Sequence, residues 1–224
     1  MTRGIARLLG AVAAAALLAA CATMPVGSDG LSYEQRRERL EAVSAWDMRG
    51  RVAVSAGERA FQASFRWHQD ADALDLAVRG PLGAGALEVN GTPSTLTVTS
   101  RGDTRVLSDP EAQLSELLGW WLPVASLHAW LLGLPDPAFN ATMQPGPDGT
   151  LASFDQRLWR VAFASYQLAP AKADAGSPLL VPHRIDLEHG DLRLRLTIDD
   201  WHAAAPCTSR FAPGYTKGWG VAKR

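Results

Sequence analysis

Apolar and polar residues alternate one for one along most of this chain, with several interruptions. In Met48–Val54, the positions Met48, Gly50, Val52 and Val54 share a face. In Ala60–His68, Phe61, Ala63, Phe65 and Trp67 alternate with Gln62, Ser64, Arg66 and His68. Leu74, Leu76 and Val78 repeat the pattern in Ala73–Arg79. Leu87 with Val89, Leu96 with Val98, and a shorter run over Thr104–Leu107 follow. Strands resume over Leu151–Phe154, Leu158–Tyr166, His183–Glu188 and Leu192–Ile198. Trp159, Val161 and Phe163 share one face there, as do Leu192, Leu194, Leu196 and Ile198. A period of two with short spacers predicts an antiparallel meander with one apolar face, not the continuous apolar strands of a parallel sheet.

The interruptions are helical or irregular. Ser32 and Gln35 are spaced as a capping box and predict a helix to about Ser44, with Tyr33, Leu40 and Val43 near one face and arginines and glutamates on the other. Asp109-Pro110-Glu111 supplies an N-cap, a proline at the first helical position and an acid in the first turn. Leu114, Leu117 and Leu118 continue that helix to Gly119. A second helix is expected over Val124–Leu132, stopped by Gly133. Ala169–Val181 reads as a long loop. Gly80-Pro81-Leu82-Gly83-Ala84-Gly85 is turn chemistry whose only large side chain is a leucine. On composition alone, Leu82 folds back onto the core or is held out toward lipid or a partner, the first being the ordinary outcome.

The first 20 residues change the picture. Arg3 and Arg7 precede an apolar stretch, Leu8–Ala20, too short to span a bilayer and built like a secretory signal peptide. It closes on Leu18-Ala19-Ala20-Cys21, which resembles the lipobox of bacterial lipoproteins. That resemblance implies that Cys21 becomes the acylated N-terminus, and Ala22, in place of an aspartate, implies outer-membrane delivery. The expected organisation is a signal peptide (1–20), a lipidated start and flexible tether (21–31), one folded domain (32–202) and a basic, disordered tail (203–224).

The two end segments hold six cations and no acid, which leaves residues 21–202 at −7 against a chain total of −1. A mildly acidic domain lacks the basic face that nucleic acid demands. Eight tryptophans against three tyrosines suit wide apolar surfaces. Catalytic patterns are missing: there is no Gly-x-Ser-x-Gly, His-Glu-x-x-His, Cys-x-x-Cys or phosphate loop. His68 is expected in solvent, and His128 on a helix surface or at an interface rather than as a base. His183 and His189 share a predicted strand face but lack a third metal ligand. Asp70, Asp72 and Asp75 lack the glycine and closing glutamate of a calcium loop. Cys207 has no assigned role. Two short apolar helices beside a sheet with one apolar face could cap a half-open barrel.

A series of ordered motifs then resembles the LolB family of outer-membrane lipoprotein receptors. They include Gly50-Arg51-Val52-Ala53-Val54, Phe65-Arg66-Trp67-His68-Gln69, and Leu76-Ala77-Val78-Arg79-Gly80-Pro81-Leu82-Gly83. Further along stand Leu117-Leu118-Gly119-Trp120-Trp121-Leu122-Pro123, Leu127-His128-Ala129-Trp130-Leu131-Leu132-Gly133, Pro182-His183-Arg184-Ile185 and Ile198-x-x-Trp201. The resemblance implies a mainly β protein with helices (α+β): an unclosed antiparallel β-barrel of about eleven strands, with a helical lid over an apolar cavity. It implies a non-enzymatic monomer on the periplasmic face of the outer membrane. Such a receptor takes acylated lipoprotein from a LolA-type carrier and delivers it to outer-membrane phospholipid, with no cofactor beyond the lipid on Cys21. Combined with the alternation, it marks Trp46, Phe65, Trp67, Leu76, Leu87, Trp121, Leu122, Trp130, Trp159, Phe163, Leu194 and Leu196 as the expected cavity wall. It also reverses the reading of the turn, with Pro81 and Gly83 projecting Leu82 toward the membrane. A structural envelope lipoprotein with a filled barrel, or a binding module for another lipid, remain the competing readings.

Overall fold

The computed structural model describes residues 29–81, 85–170 and 178–203. The lipobox with Cys21, the tip residues Leu82 and Gly83, and the tail with Cys207 lie outside the described residues.

The first element among the described residues, α1 (Tyr33–Glu41), starts on the expected capping box. The Ser32 side chain accepts from the Gln35 backbone, and the Gln35 side chain returns the bond to Ser32. It ends before the expected Ser44, because the next residues are already drawn to the sheet: Ala71 N–H donates to the Ser44 carbonyl, and β1 (Ala45–Ala56) begins at once. A meander continues through β2 (Arg59–Asp70), β3 (Ala73–Arg79), β4 (Ala86–Thr92), β5 (Thr95–Ser100) and β6 (Asp103–Leu107). Two helices follow, α2 (Pro110–Leu118) and α3 (Val124–Leu131). Asp109 caps α2, and Gly119 closes it in the left-handed conformation at φ 79°, as the residue types predict. The second meander comprises β7 (Thr142–Pro145), β8 (Leu151–Gln156), β9 (Trp159–Ala169), β10 (Leu179–His189) and β11 (Leu192–Ala203).

All eleven strands form one sheet in the order β6-β5-β4-β3-β2-β1-β11-β10-β9-β8-β7. The two meanders join where β1 pairs antiparallel with β11, and the free edges are β6 and β7. The segment carrying α2 and α3 therefore runs from one free edge to the other. β7 was not expected: Thr142-Met143-Gln144-Pro145 is exposed at every position, so it has no alternation to show. Pro145 on that edge and Arg105 on the other discourage further strand pairing.

Paired residues share a face, so register decides which sets of side chains turn inward. Trp67 lies between Met48 and Leu76, and Phe65 between Gly50 and Val78. A shift at Arg49/Gly50 makes Asp199 an extra residue on β11, so Ile198 and Trp201, three apart, both turn inward and are buried. Gly50 is required by close approach: a Cβ there would stand 2.1 Å from the Thr197 carbonyl oxygen and 3.0 Å from the Phe65 ring. Phe61 departs from expectation. It lies opposite Val54 on the apolar face, yet it is 54% exposed, since none of the described residues covers that end of β2.

Arg36 also departs from expectation, for it is not on an outward face of α1. It is 3% exposed. Its Nε donates to Asp29 (3.1 Å), its Nη2 to the carbonyls of Leu31 (3.1 Å) and Asp148 (3.0 Å), and its Nη1 to the Gly149 carbonyl. The last three residues of the expected tether are thus fixed to the β7–β8 connection. Burial works to raise the Asp29 carboxyl, but hydrogen bonds from Arg36 and Leu31 and the guanidinium charge outweigh it and hold the pKa below the usual value. As pH falls the unfolded chain takes up this proton first. The clamp is therefore complete above about pH 4 and is lost as pH falls through the lower folded value. Arg36→Met should cost about 3 kcal/mol at pH 7 by leaving Asp29 buried and unpaired. In urea unfolding that deficit should shrink as pH falls below about 4, where the unfolded chain is protonated first, and should vanish once pH has passed the lower folded value. A deficit that does not change with pH would contradict this role.

Candidate functional site

All twelve residues expected to line a cavity fall in one apolar cluster on the concave face. Trp46, Phe65, Trp67, Trp130, Trp159, Phe163 and Leu194 are buried, while Leu76, Leu87, Trp121, Leu122 and Leu196 are half-buried. The rings are in contact: Trp46 with Trp67 at 5.9 Å, Trp130 with Trp159 at 6.2 Å and with Phe154 at 6.1 Å, and Phe154 with Phe163 at 5.8 Å. Side chains rather than empty space fill this part of the interior. A small cavity beside α1, between Tyr33, Leu40, Leu134 and Tyr166, holds only about 10 Å³.

The concave face is not covered evenly. Leu196 stands opposite Val52, Val52 opposite Ala63, Phe65 opposite Val78 and Val78 opposite Leu87. Val52, Val78, Leu87 and Leu196 remain half-buried, and exposed Phe61 continues the same surface. This is an apolar strip across five strands, half-exposed on β11, β1, β3 and β4, with its β2 members Ala63 and Phe65 buried.

A polar network holds the helices over the rest. Gln156 lies two positions beyond Phe154 and is buried. Its Oε1 accepts from Trp130 Nε1 (2.8 Å) and from Asp136 N–H (2.9 Å), and its Nε2 donates to the carbonyls of Asp136 (2.9 Å) and Phe139 (2.8 Å). One side chain thus ties α3 and the loop after it to β8. Ser126 on α3 donates to Asp136 at 2.7 Å. Arg157 then reaches back to α2, donating to both carboxylate oxygens of Glu111 (3.0 and 2.6 Å) and to Ser126 (3.1 Å). Its guanidinium lies 5.0 Å from the Trp121 ring centre and 4.3 Å from that of Phe139. On α2 only Pro110 and Leu114 are buried, so this ion pair is a principal restraint on that helix.

Sequence reasoning missed Arg36, Gln69, Gln156 and the Glu111–Arg157 pair. A signal existed for the glutamines, since each falls where the alternation calls for an apolar side chain. Gln69 accepts from Trp67 Nε1 at 2.8 Å and donates to the Ala71 carbonyl at 2.7 Å. By contrast, the buried indole N–H groups of Trp46, Trp159 and Trp201 have no partner among the described residues. The histidines also need revision. His68 is half-buried, with Nδ1 2.9 Å from Asp47, rather than free in solvent. An extra residue at His183 breaks the alternation that put it on one face with His189. Their Nδ1 atoms contact the carbonyls of Ile198 (2.9 Å) and Leu158 (3.0 Å) instead. His128 is exposed on α3, as expected.

An eleven-stranded sheet with free edges, an apolar concave face and helices bridging it defines an unclosed β-barrel. The family model for the outer membrane lipoprotein LolB matches residues 44–201. The outer-membrane lipoprotein LolB of Alkalilimnicola ehrlichii is 34% identical over 208 residues, covering 91% of this chain and all of that one. Its counterpart in Pseudomonas putida strain GB-1 is 33% identical over 194 residues, covering 83% and 91%. Among solved structures, a LolA superfamily protein from Nitrosomonas europaea aligns with 78% of this chain and 94% of its own at 7% identity. Its TM-score is 0.41. The chain belongs to the LolB family of outer-membrane lipoproteins. It is accordingly a lipid-anchored outer-membrane receptor acting in lipoprotein localisation, and not an enzyme.

Replacing Gln156 by leucine should strand the Trp130 N–H, the Asp136 N–H and two carbonyls. At about 1–3 kcal/mol for each unpaired group, partly relieved by rearrangement, the cost should be about 3 kcal/mol or more in thermal or urea unfolding. A cost under 1 kcal/mol would mean that Gln156 does not hold the helices in place.

Proposed function

We propose that this receptor accepts acylated lipoproteins from a LolA-type periplasmic carrier and passes them to outer-membrane phospholipid by non-covalent transfer of the acyl chains. The observation that carries this reading is the half-open apolar strip of Val52, Val78, Leu87 and Leu196, with Phe61 54% exposed at its end. A soluble domain gains nothing by leaving such a strip open unless an apolar ligand covers it. The packed aromatic interior is also what a purely structural lipoprotein would have. The open strip and the family argue for the receptor.

Transfer needs no nucleotide and no cofactor. Each methylene moved out of water is worth about 0.8 kcal/mol. A receptor that desolvates chains slightly better than the carrier, and slightly worse than the bilayer, therefore sets the direction of flow. Because rings fill much of the interior, a chain entering beyond the strip must displace side chains. The weakly buried α2 is the element that yields most easily. Cys21 carries the lipid that anchors the chain, and the protein works as a monomer. The connection between β3 and β4, with Pro81, Leu82 and Gly83, projects Leu82 into the leaflet for release.

Two substitutions separate the steps in an assay that follows cargo from carrier to receptor to liposome. Leu87→Asp places a charge on the half-open strip and should reduce acceptance from the carrier at least tenfold while the domain stays folded. Normal acceptance would remove the strip from the ligand site. Leu82→Glu should accept cargo normally but fail to insert it. Loss of acceptance instead would place Leu82 in the interior.

A further inference from the structure

The β8–β9 turn combines two costs that a hairpin normally avoids. It is a two-residue turn, Arg157-Leu158, closed by the Gln156–Trp159 pair, and both residues are left-handed, at φ 51° and 64°. That geometry favours asparagine and glycine. Three other two-residue hairpins leave the same end of the sheet: Gly57-Glu58, Arg101-Gly102 and Gly190-Asp191. Each places a glycine at positive φ beside a charged residue. The β8–β9 turn alone among them has no glycine. Arg157 has an inward use, since it holds Glu111 and stacks on Trp121 and Phe139. Leu158 has none. It is 86% exposed, more than any other large apolar side chain among the described residues, and the His189 Nδ1–H donating to its carbonyl at 3.0 Å fixes the turn that holds it out.

We propose that Leu158 is a membrane-contact residue that enters the outer-membrane leaflet while the receptor delivers its cargo. The proposal rests on the receptor reading above. One apolar side chain on a turn is far too small for a protein interface, which needs about 800 Å² from each partner. A bilayer requires no shape complementarity and rewards a single buried leucine. The neighbours suit the headgroup boundary: Phe139 is 43% exposed and Trp121 half-buried, both against the Arg157 guanidinium. The bilayer is also within reach. With Cys21 as the anchor, eight residues to the clamped Asp29 span at most about 28 Å. The clamp grips the β7–β8 connection at Asp148 and Gly149, and the eight residue steps from Gly149 to Arg157 span at most about 27 Å, still within that reach. The β3–β4 connection leaves at the same end of the sheet, so both turns can face one leaflet.

The test uses the full lipidated chain in vesicles of phosphatidylethanolamine and phosphatidylglycerol. A fluorophore on Leu158→Cys, in a Cys207→Ser background, should be quenched by nitroxide groups on the lipid acyl chains. The same fluorophore on Ser94→Cys, at the opposite end of the sheet, should not. Equal quenching at the two positions, or none at 158, overturns the proposal. So does a fluorescence change at 158 that requires the carrier and not lipid, since it would assign the turn to a protein partner. Leu158→Asn should raise Tm by about 2 °C, because asparagine tolerates this conformation, leave acceptance unchanged and lower insertion at least fivefold. Insertion at the wild-type rate overturns the proposal. If unmodified receptor took no cargo from the carrier, the receptor reading would fail, while the quenching result would still decide whether Leu158 meets lipid.

Discussion

Everything in this fold follows from a sheet whose outer strands never meet. β6 and β7 are both free edges, so the apolar face inside their curve has no further strand to cover it. The chain must still pass from one edge to the other, and the route carries α2 and α3 over the opening. A lid is therefore the connection that joins two meanders whose other ends are already paired through β1 and β11. The cover is thorough where α3 meets Phe154 and Trp159. It is thin where Val52, Val78 and Leu87 lie half-buried.

Polar groups decide how firmly that cover is held. Gln156 makes four hydrogen bonds and fastens α3 with the loop behind it. Glu111 and Arg157 fasten α2 through one half-buried ion pair. The two helices are thus anchored unequally, the first of them, α2, being the looser. Among the described residues, three buried indole N–H groups in the same interior have no partner, and an unmet buried donor costs about 1–3 kcal/mol. Such an interior is well packed without being optimised for its own stability, as suits a protein that must admit another molecule's hydrocarbon.

Much of this was legible in the sequence because the alternation is long and clean. The apolar face from Met48 to Val98 came from period two alone, and the helix caps at Ser32, Asp109 and Gly119 from residue type. What could not be read is instructive. β7 has no apolar face, so it leaves no periodic trace. Arg36 looks like any solvent-facing helix arginine until the chain before it folds back with Asp29. The alternation assigned Phe61 correctly to the concave face, but burial depends on what lies above a strand and not on the strand itself. The inward turn of both Ile198 and Trp201 needs an extra residue at Asp199, which pattern reading cannot place. The twelve candidate wall residues do gather in one cluster. Which of them touch a ligand is set by the lid's position, a property no alternation records.

The decisive question is whether acyl chains occupy the concave face. A photo-crosslinking residue at Leu196, within the half-open strip, and another at Thr99 on the opposite face of the sheet would answer it with acylated lipoprotein delivered by the carrier. Crosslinks from 196 to the cargo's acyl chains, and none from 99, are the expected result. Equal crosslinking from both faces, or crosslinks from 196 that reach only the cargo polypeptide, would contradict an acyl-binding concave face.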